Sequence, residues 1–215
     1  MSNKAYTDLL ALLGIGGAHP GGLELTKTIL LKENLESKKL LEIGCGTGQT
    51  SLFLHSMNID ITPIDNHPLM IEKANIRFAE HQAGITALKM DIEKTEFKES
   101  TFDFILSESV LSFTDTSKTL AELYRLLKKD GVLLAFEITK KGSMQLELED
   151  RMKHFYNMPN IYSEKDWKEA LEQHGFTKVE ITPLSLKELE PSEPEINPSE
   201  EIEDLFFEVM HEHEK

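Results

Sequence analysis

The chain has 215 residues and a mass of 24.5 kDa, room for one globular domain rather than two. It carries 23 Lys+Arg against 38 Asp+Glu, a formal net charge of −15, with 40% hydrophobic and 28% charged residues. So acidic a chain has no net attraction to a phosphate backbone, which argues against a nucleic-acid binder. The single cysteine, Cys45, has no partner for an internal disulfide and cannot alone build a structural zinc site. No run of 18 uncharged apolar residues occurs, so no membrane span is expected. Leu9–Leu13, approached across Asp8, is short for a signal peptide; an amphipathic helix and a cytoplasmic location are the expectation.

From residue 23 onward, apolar runs of strand length alternate with helical patterns. Leu23–Glu36 reads as a helix and Lys39–Ile43 as a strand ending in a glycine cluster. Gln49–Met57 is helical and Asp60–Ile64 a strand, although Pro63 has no N–H for an interior ladder. Either that strand is irregular near its end or its register shifts by one residue. Pro68–Gln82 is the next helix, with Pro68 in its first turn and Asn66 a candidate cap. Ile85–Met90 and Phe102–Leu106 read as strands. Thr116–Lys128 reads as a helix stopped before Gly131, and Val132–Ile138 is the strongest strand. Helices follow at Met144–Tyr156 and Glu164–His174, the latter opening on Ser163 and Asp166 in capping-box spacing, then a strand at Phe176–Thr182. This alternation implies parallel strands joined by crossover helices, a doubly wound α/β sheet.

The chain divides into an N-terminal segment (1–22), this α/β region (23–182) and an acidic, proline-bearing tail (183–215). Eleven acidic residues and one basic residue fall in 188–215, a net of −10. There Pro191, Pro194 and Pro198 suggest a linker, and Ser199 caps a helix whose Ile202, Leu205, Phe206 and Val209 share one face. That stripe packs on its own domain or docks a partner.

In open parallel sheets, ligands bind beyond the carboxyl ends of the strands. Glu42-Ile43-Gly44-Cys45-Gly46-Thr47-Gly48-Gln49 lies at the first such end, its three glycines alternating so that the backbone turns sharply and approaches a ligand closely. The helix that follows offers free N–H groups to an anion. Asp65 ends the second strand, 19 residues beyond Gly46, where a carboxylate can accept both hydroxyl protons of a ribose. Met90-Asp91-Ile92 follows the third strand and Ser107-Glu108-Ser109 the fourth. The dinucleotide fingerprint G-x-G-x-x-G fits less well, because Gln49 stands at its third glycine and the glycine falls one residue early, at Gly48.

The segment "LLEIGCGTGQTSLFL" at 40–54 resembles the first motif of the class I S-adenosylmethionine-dependent methyltransferases, acidic-x-Gly-x-Gly-x-Gly. "ITPIDNHPLMIEKA" (61–74) and "ALKMDIEKTEF" (87–97) are similar to the second and third motifs. "TFDFILSESVLSF" (101–113) and "LYRLLKKDGVLLAFEI" (123–138) are similar to the fourth and fifth strand regions of the family. The style is that of the small-molecule branch containing the quinone-biosynthesis methyltransferases. The resemblance implies a doubly wound, mostly parallel, seven-stranded-type (Rossmann-like) sheet, whose last strand has no clear counterpart here. It implies binding of S-adenosyl-L-methionine, release of S-adenosyl-L-homocysteine, and in-line methyl transfer to a small-molecule acceptor. Glu42, Gly44, Cys45, Gly46 and Gly48 would serve the methionine part of the cofactor and Asp65, with Asn66, the ribose. Met70, Asp91 and Ile92 would serve the adenine, and Ser107 would lie where the methyl group projects.

His19 and Glu108 are the candidates for chemistry. His19, before Pro20-Gly21-Gly22, is either a base on a lid or a solvated turn residue; Glu108 either meets the acceptor or orients its neighbours. His154, Phe155, Tyr156, Met158, Tyr162 and Trp167 line an acceptor pocket or form plain core. His211 and His213 are a weak metal pair, and no metal site is expected. Lacking partner thiols, the chain does not fit the thiol-rich arsenite methyltransferases. Two other readings compete: a non-catalytic S-adenosylmethionine-binding sensor or partner subunit, and an NAD(P)-dependent oxidoreductase. The sensor reading requires a closed or unlined acceptor pocket.

Overall fold

The computed structural model describes residues 5–184 and 196–197. Helices α1 (Ala5–Leu13) and α2 (Gly22–Leu30) lead into β1 (Lys39–Ile43), α3 (Gln49–Ser56), β2 (Asp60–Asp65), α4 (Pro68–Glu80) and β3 (Leu88–Lys89). β4 (Phe102–Glu108), a single 3₁₀ turn at Leu111–Phe113, α5 (Thr116–Leu126), β5 (Leu127–Phe136), α6 (Leu146–Tyr156) and α7 (Glu164–Gln173) complete it. The five strands are parallel in the order β3-β2-β1-β4-β5.

Alternation of side chains along the strands builds two apolar layers. On one face Leu40, Ile61, Phe104 and Leu106 pack with Leu30 of α2 and Leu54 of α3. On the other, Leu41, Ile43, Ile64 and Ile105 pack with Leu120, Leu123 and Leu126 of α5 and Trp167 of α7. Ala74 and Phe78 of α4 close against Cys45 and Ala87. α7 carries the expected capping box, with the Ser163 hydroxyl and Asp166 each accepting from the other's backbone.

Pro63 fits because of where its nitrogen points. The Ile64 carbonyl accepts from Cys45 on the β1 side, so the Pro63 nitrogen faces β3, whose pairing begins only at Ile64. No ladder donor is needed there. α4 begins at Pro68 with His67, not Asn66, in the cap position. α2 stops six residues short of the expected end, its N–H groups slipping to i−3 partners at Lys32 and Glu33.

Two expected boundaries shift at β5. Leu127 is already extended and paired with Phe102, so α5 ends at Leu126, and the regular register resumes at Val132. The expected strand at Phe176–Thr182 is irregular: the Phe176 N–H closes the end of α7 on Leu171, and Lys178 sits at φ 56°, outside extended space. The described residues therefore hold five strands, not seven. The tail helix, with Ile202, Leu205, Phe206 and Val209, and the His211/His213 pair lie outside the described residues.

β5 ends at Phe136, and Glu137, the next residue, turns its carboxylate onto Ser107 and the 3₁₀ turn. It accepts from Ser107 Oγ (3.1 Å), Leu111 N (3.0 Å), Ser112 N (3.1 Å) and Ser112 Oγ (2.7 Å). Four donors are thus satisfied by one buried group. Glu137→Ala strands them, and about 3 kcal/mol of stability should be lost. Thermal unfolding should show the midpoint down by roughly 6–12 °C; an unchanged midpoint would remove this carboxylate from its structural role.

Candidate functional site

Strands are added in one direction from β1 to β3 and in the other from β4 to β5. The carboxyl ends of β1 and β4 therefore border a crevice no crossover covers. A cavity of about 240 Å³ opens there. Its wall comes from the loop after β1, the ends of β2 and β4, Met90 and Ile92, the segment Tyr6–His19 and the end of α6.

The loop after β1 is held from several sides. Gly48 donates to the Cys45 carbonyl (2.9 Å), Arg77 Nε of α4 to the Thr47 carbonyl (2.7 Å), and Gly46 N to Asp65 Oδ2 (3.0 Å). Two of its glycines are required for different reasons. A Cβ at Gly48 would stand 2.6 Å from the Phe78 ring, so that glycine lets α4 pack. Gly46, at φ 53°, would meet nothing within 4 Å; it keeps a left-handed turn and a bare backbone on the cavity wall.

Asp65 also accepts from His67 N (2.8 Å), which turns the chain into α4. Gly44, Cys45, Gly46, Asp65, Asn66, Met70 and Ile92 all line the cavity. Glu42 and Gly48 do not; Glu42 lies beneath the wall, 2% exposed, accepting from Ser51 Oγ at 2.5 Å. Ser107 is fully buried and bonds Glu137 rather than facing the cavity. Asp91 is also absent from the wall. Its side chain is exposed and accepts from Glu93 N (2.9 Å), so it caps a turn while its neighbours Met90 and Ile92 face inward.

His19 is not a solvated turn residue: it is 9% exposed, packed at a tilt against Phe136, and lines the cavity. Its Nε2 lies 2.9 Å from Glu108 Oε1, an ion-pair distance without hydrogen-bond alignment, and Nδ1 has no hydrogen-bond partner. The Thr26 hydroxyl of α2 donates to the same Glu108 oxygen. Of the aromatic patch, Tyr156 reaches the cavity, Met158 and Trp167 are core, and Phe155 is exposed. Tyr156 meets Tyr6 edge-on at 4.9 Å, and Tyr6 stacks on Phe113 at 6.0 Å. Tyr6, Phe113, Thr47 and His67 escape sequence reasoning because no local pattern distinguishes them. Glu137 carried one signal, a carboxylate inside the strongest apolar strand.

The three carboxylates near the loop are not shifted alike. Burial lifts the Glu42 carboxyl well above its usual range, and Glu108 adds repulsion that Ser51 only partly offsets. Burial also raises Asp65, against the backbone N–H groups of His67 and Gly46 and the nearby His67. Glu108 feels the same burial, yet the contact and charge of His19, with Thr26, carry it below the usual range. Burial raises the Cys45 thiol well above its usual value, which removes it as a nucleophile.

A carboxyl raised in the folded state contributes stability that is fully present below its unfolded value. That contribution is lost as pH climbs through the folded value. Glu42→Gln stays neutral and escapes the loss. Urea unfolding between pH 5 and pH 8 should show the variant gaining on the parent as pH rises, by on the order of 1 kcal/mol at pH 8. A constant difference would mean that Glu42 is compensated as an anion.

A family profile for the methyltransferase domain matches residues 41–135. The chain is similar to the uncharacterized methyltransferase YodH of Bacillus subtilis (strain 168), 35% identical over 211 residues, covering 97% of this chain and 90% of the relative. It is similar to a malonyl-[acyl-carrier protein] O-methyltransferase of Paenibacillus sp. (strain JDR-2), 32% identical over 173 residues, covering 73% of this chain and 62% of that protein. Among solved structures, phosphoethanolamine N-methyltransferase 2 of Haemonchus contortus with S-adenosyl-L-methionine aligns at TM-score 0.70 and 20% identity, over 84% of this chain and 45% of that one. The [4+2]-cyclase SpnF aligns at 0.67 and 18% identity, over 81% of this chain and 73% of that one. These structural likenesses show the fold alone, since one fold hosts both chemistries. The sequence similarity, running almost end to end, decides the family and sets aside the oxidoreductase reading: the chain belongs to the class I S-adenosylmethionine-dependent methyltransferases.

Proposed function

We propose that this cavity is a two-part methyl-transfer site for a small-molecule acceptor. The glycine loop and Asp65 form the cofactor side; His19, Glu108 and the aromatic rings form the acceptor side. The observation that carries this reading is the continuity of the two sets along one cavity. A non-catalytic binding protein would need no lined acceptor side. The malonyl-[acyl-carrier protein] O-methyltransferase relative supports an acceptor group of small size.

The residues present suit S-adenosylmethionine. Thr47 Oγ1 and His67 Nδ1 are buried, belong to cavity-lining residues and lack a hydrogen-bond partner, so the wall holds polar groups the protein itself leaves unsatisfied. Asp65 would accept from ribose hydroxyls, Met70 and Ile92 would flank a flat ring, and the loop from Gly44 would take the amino-acid end. Bound S-adenosylmethionine supplies a methyl group already activated on a sulfonium. What remains for the protein is alignment, exclusion of water and removal of any acceptor proton.

The N-terminal segment serves as the lid over both sides. Tyr6 fixes it between Phe113 and Tyr156, and Asp8 contacts His67 Nε2 at 3.3 Å, beside the Asp65 loop. His19 is the base on the acceptor side. Glu108, held ionised by its surroundings, stabilises the imidazolium that forms when His19 takes up a proton.

Thermal unfolding with S-adenosylmethionine, S-adenosylhomocysteine, NAD and NADP tests the cofactor. Saturation at about 100 times the dissociation constant stabilises by roughly 2.7 kcal/mol, and only the first pair should do so. Asp65→Asn should weaken that binding about ten- to a hundredfold, the worth of a charge-assisted hydrogen bond. A shift with NAD or NADP alone would sink the cofactor assignment. For the chemistry, His19→Gln should lower kcat about 10²- to 10⁴-fold, measured as S-adenosylhomocysteine release, with cofactor affinity unchanged. Equal loss of cofactor affinity would make His19 a binding residue instead.

A further inference from the structure

The charges around the acceptor side narrow the substrate class, on the reading of this cavity as a methyl-acceptor site. We infer that the acceptor is an uncharged molecule with an apolar body, and that carboxylates, phosphates and ammonium compounds of the same size are rejected. Among the described residues lining the cavity there is no lysine or arginine. The two histidines there each stand beside a carboxylate, His19 at 2.9 Å from Glu108 and His67 at 3.3 Å from Asp8. Neither histidine is therefore a free counter-charge: an anion bound at either would also face the carboxylate already in place.

A cation fares no better. Asp65 lies on the cofactor side, where its remaining lone pairs are assigned to the ribose, while Glu108 is engaged by His19 and Thr26. Burying an ion without a counter-charge of its own costs more than a few apolar contacts return. The surface left to an acceptor is apolar or neutral. Tyr6, Phe113 and Tyr156 bring three rings together from three separate elements, and Leu10 and Val110 extend the patch. Thr114, whose hydroxyl already donates to the Leu111 carbonyl (3.2 Å), and Asn157 complete this lining with uncharged polar residues. The acceptor side thus selects by refusing charge, since a charged acceptor would lie there without a partner of its own.

Four ligands on one ring scaffold test this: p-cresol, p-toluate, p-tolyl phosphate and 4-methylbenzylamine, titrated calorimetrically into protein saturated with S-adenosylhomocysteine. The expected result is p-cresol binding at least tenfold more tightly than each charged member. Phe113→Lys should reverse the order for p-toluate, raising its affinity at least tenfold while S-adenosylhomocysteine affinity stays as in the parent. A charged ligand matching or beating p-cresol in the parent overturns the inference, as does failure of p-cresol to bind. Should Phe113→Lys not fold, Val110→Lys carries the same expectation. Failure of S-adenosylhomocysteine to bind would instead refute the cofactor reading, and the four titrations on the protein alone would still decide the charge preference.

Discussion

Between β1 and β4 the direction of strand addition reverses, and the crevice that this leaves is the feature on which the rest of the molecule depends. Crossover helices α3 and α4 continue away on one side and α5 on the other, so nothing in the sheet itself covers those strand ends. The chain answers with segments remote in sequence: α1 and the residues up to His19 on one side, the end of α6 on the other. The Asp65–Gly46 hydrogen bond and the Glu137 network then fix the two rims, the first tying β2 to the glycine loop, the second tying β5 to the turn after β4. A rigid scaffold thus presents mobile-length connections as the working surface.

The site is also an electrostatic compromise. Glu42, Asp65 and Glu108 converge near one loop, and burial opposes ionisation of all three. The protein resolves this unequally. Glu42 is held toward its neutral form beneath the wall, Asp65 leans on backbone N–H groups, and Glu108 keeps its charge through His19 and Thr26. One consequence is a site in which each carboxylate already has partners from the protein itself. The contact of Glu108 with His19 underlies the chemical role proposed for His19, and the lack of a free counter-charge underlies the preference proposed for the acceptor side.

Much of the scaffold was legible because it is local. β1 and the start of α3 follow from an apolar strand, a glycine loop and a helix start, all within a dozen residues. Ser163 and Asp166 announce the start of α7 by their spacing. Phe176–Thr182 misled because apolar alternation reports burial, and Phe176 and Ile181 are indeed packed on the core without joining a ladder. Asp91 misled in another way. Its position after β3 suits a ligand, but its carboxylate caps the following turn, and the cavity received Met90 and Ile92 instead.

The sequence by itself determined the glycine loop, the carboxylate at the end of β2, the parallel α/β plan and, through motif order, the methyltransferase family. Each of these depends on neighbours close along the chain, where steric limits and hydrogen-bond spacing act directly. Only the tertiary structure decided that His19 meets Glu108, that Tyr6 bridges Phe113 and Tyr156, and that no lysine or arginine among the described residues reaches the cavity. Those contacts join segments with no shared periodicity. Their geometry is set by how helices pack across the sheet, a property of the whole core rather than of any stretch of sequence.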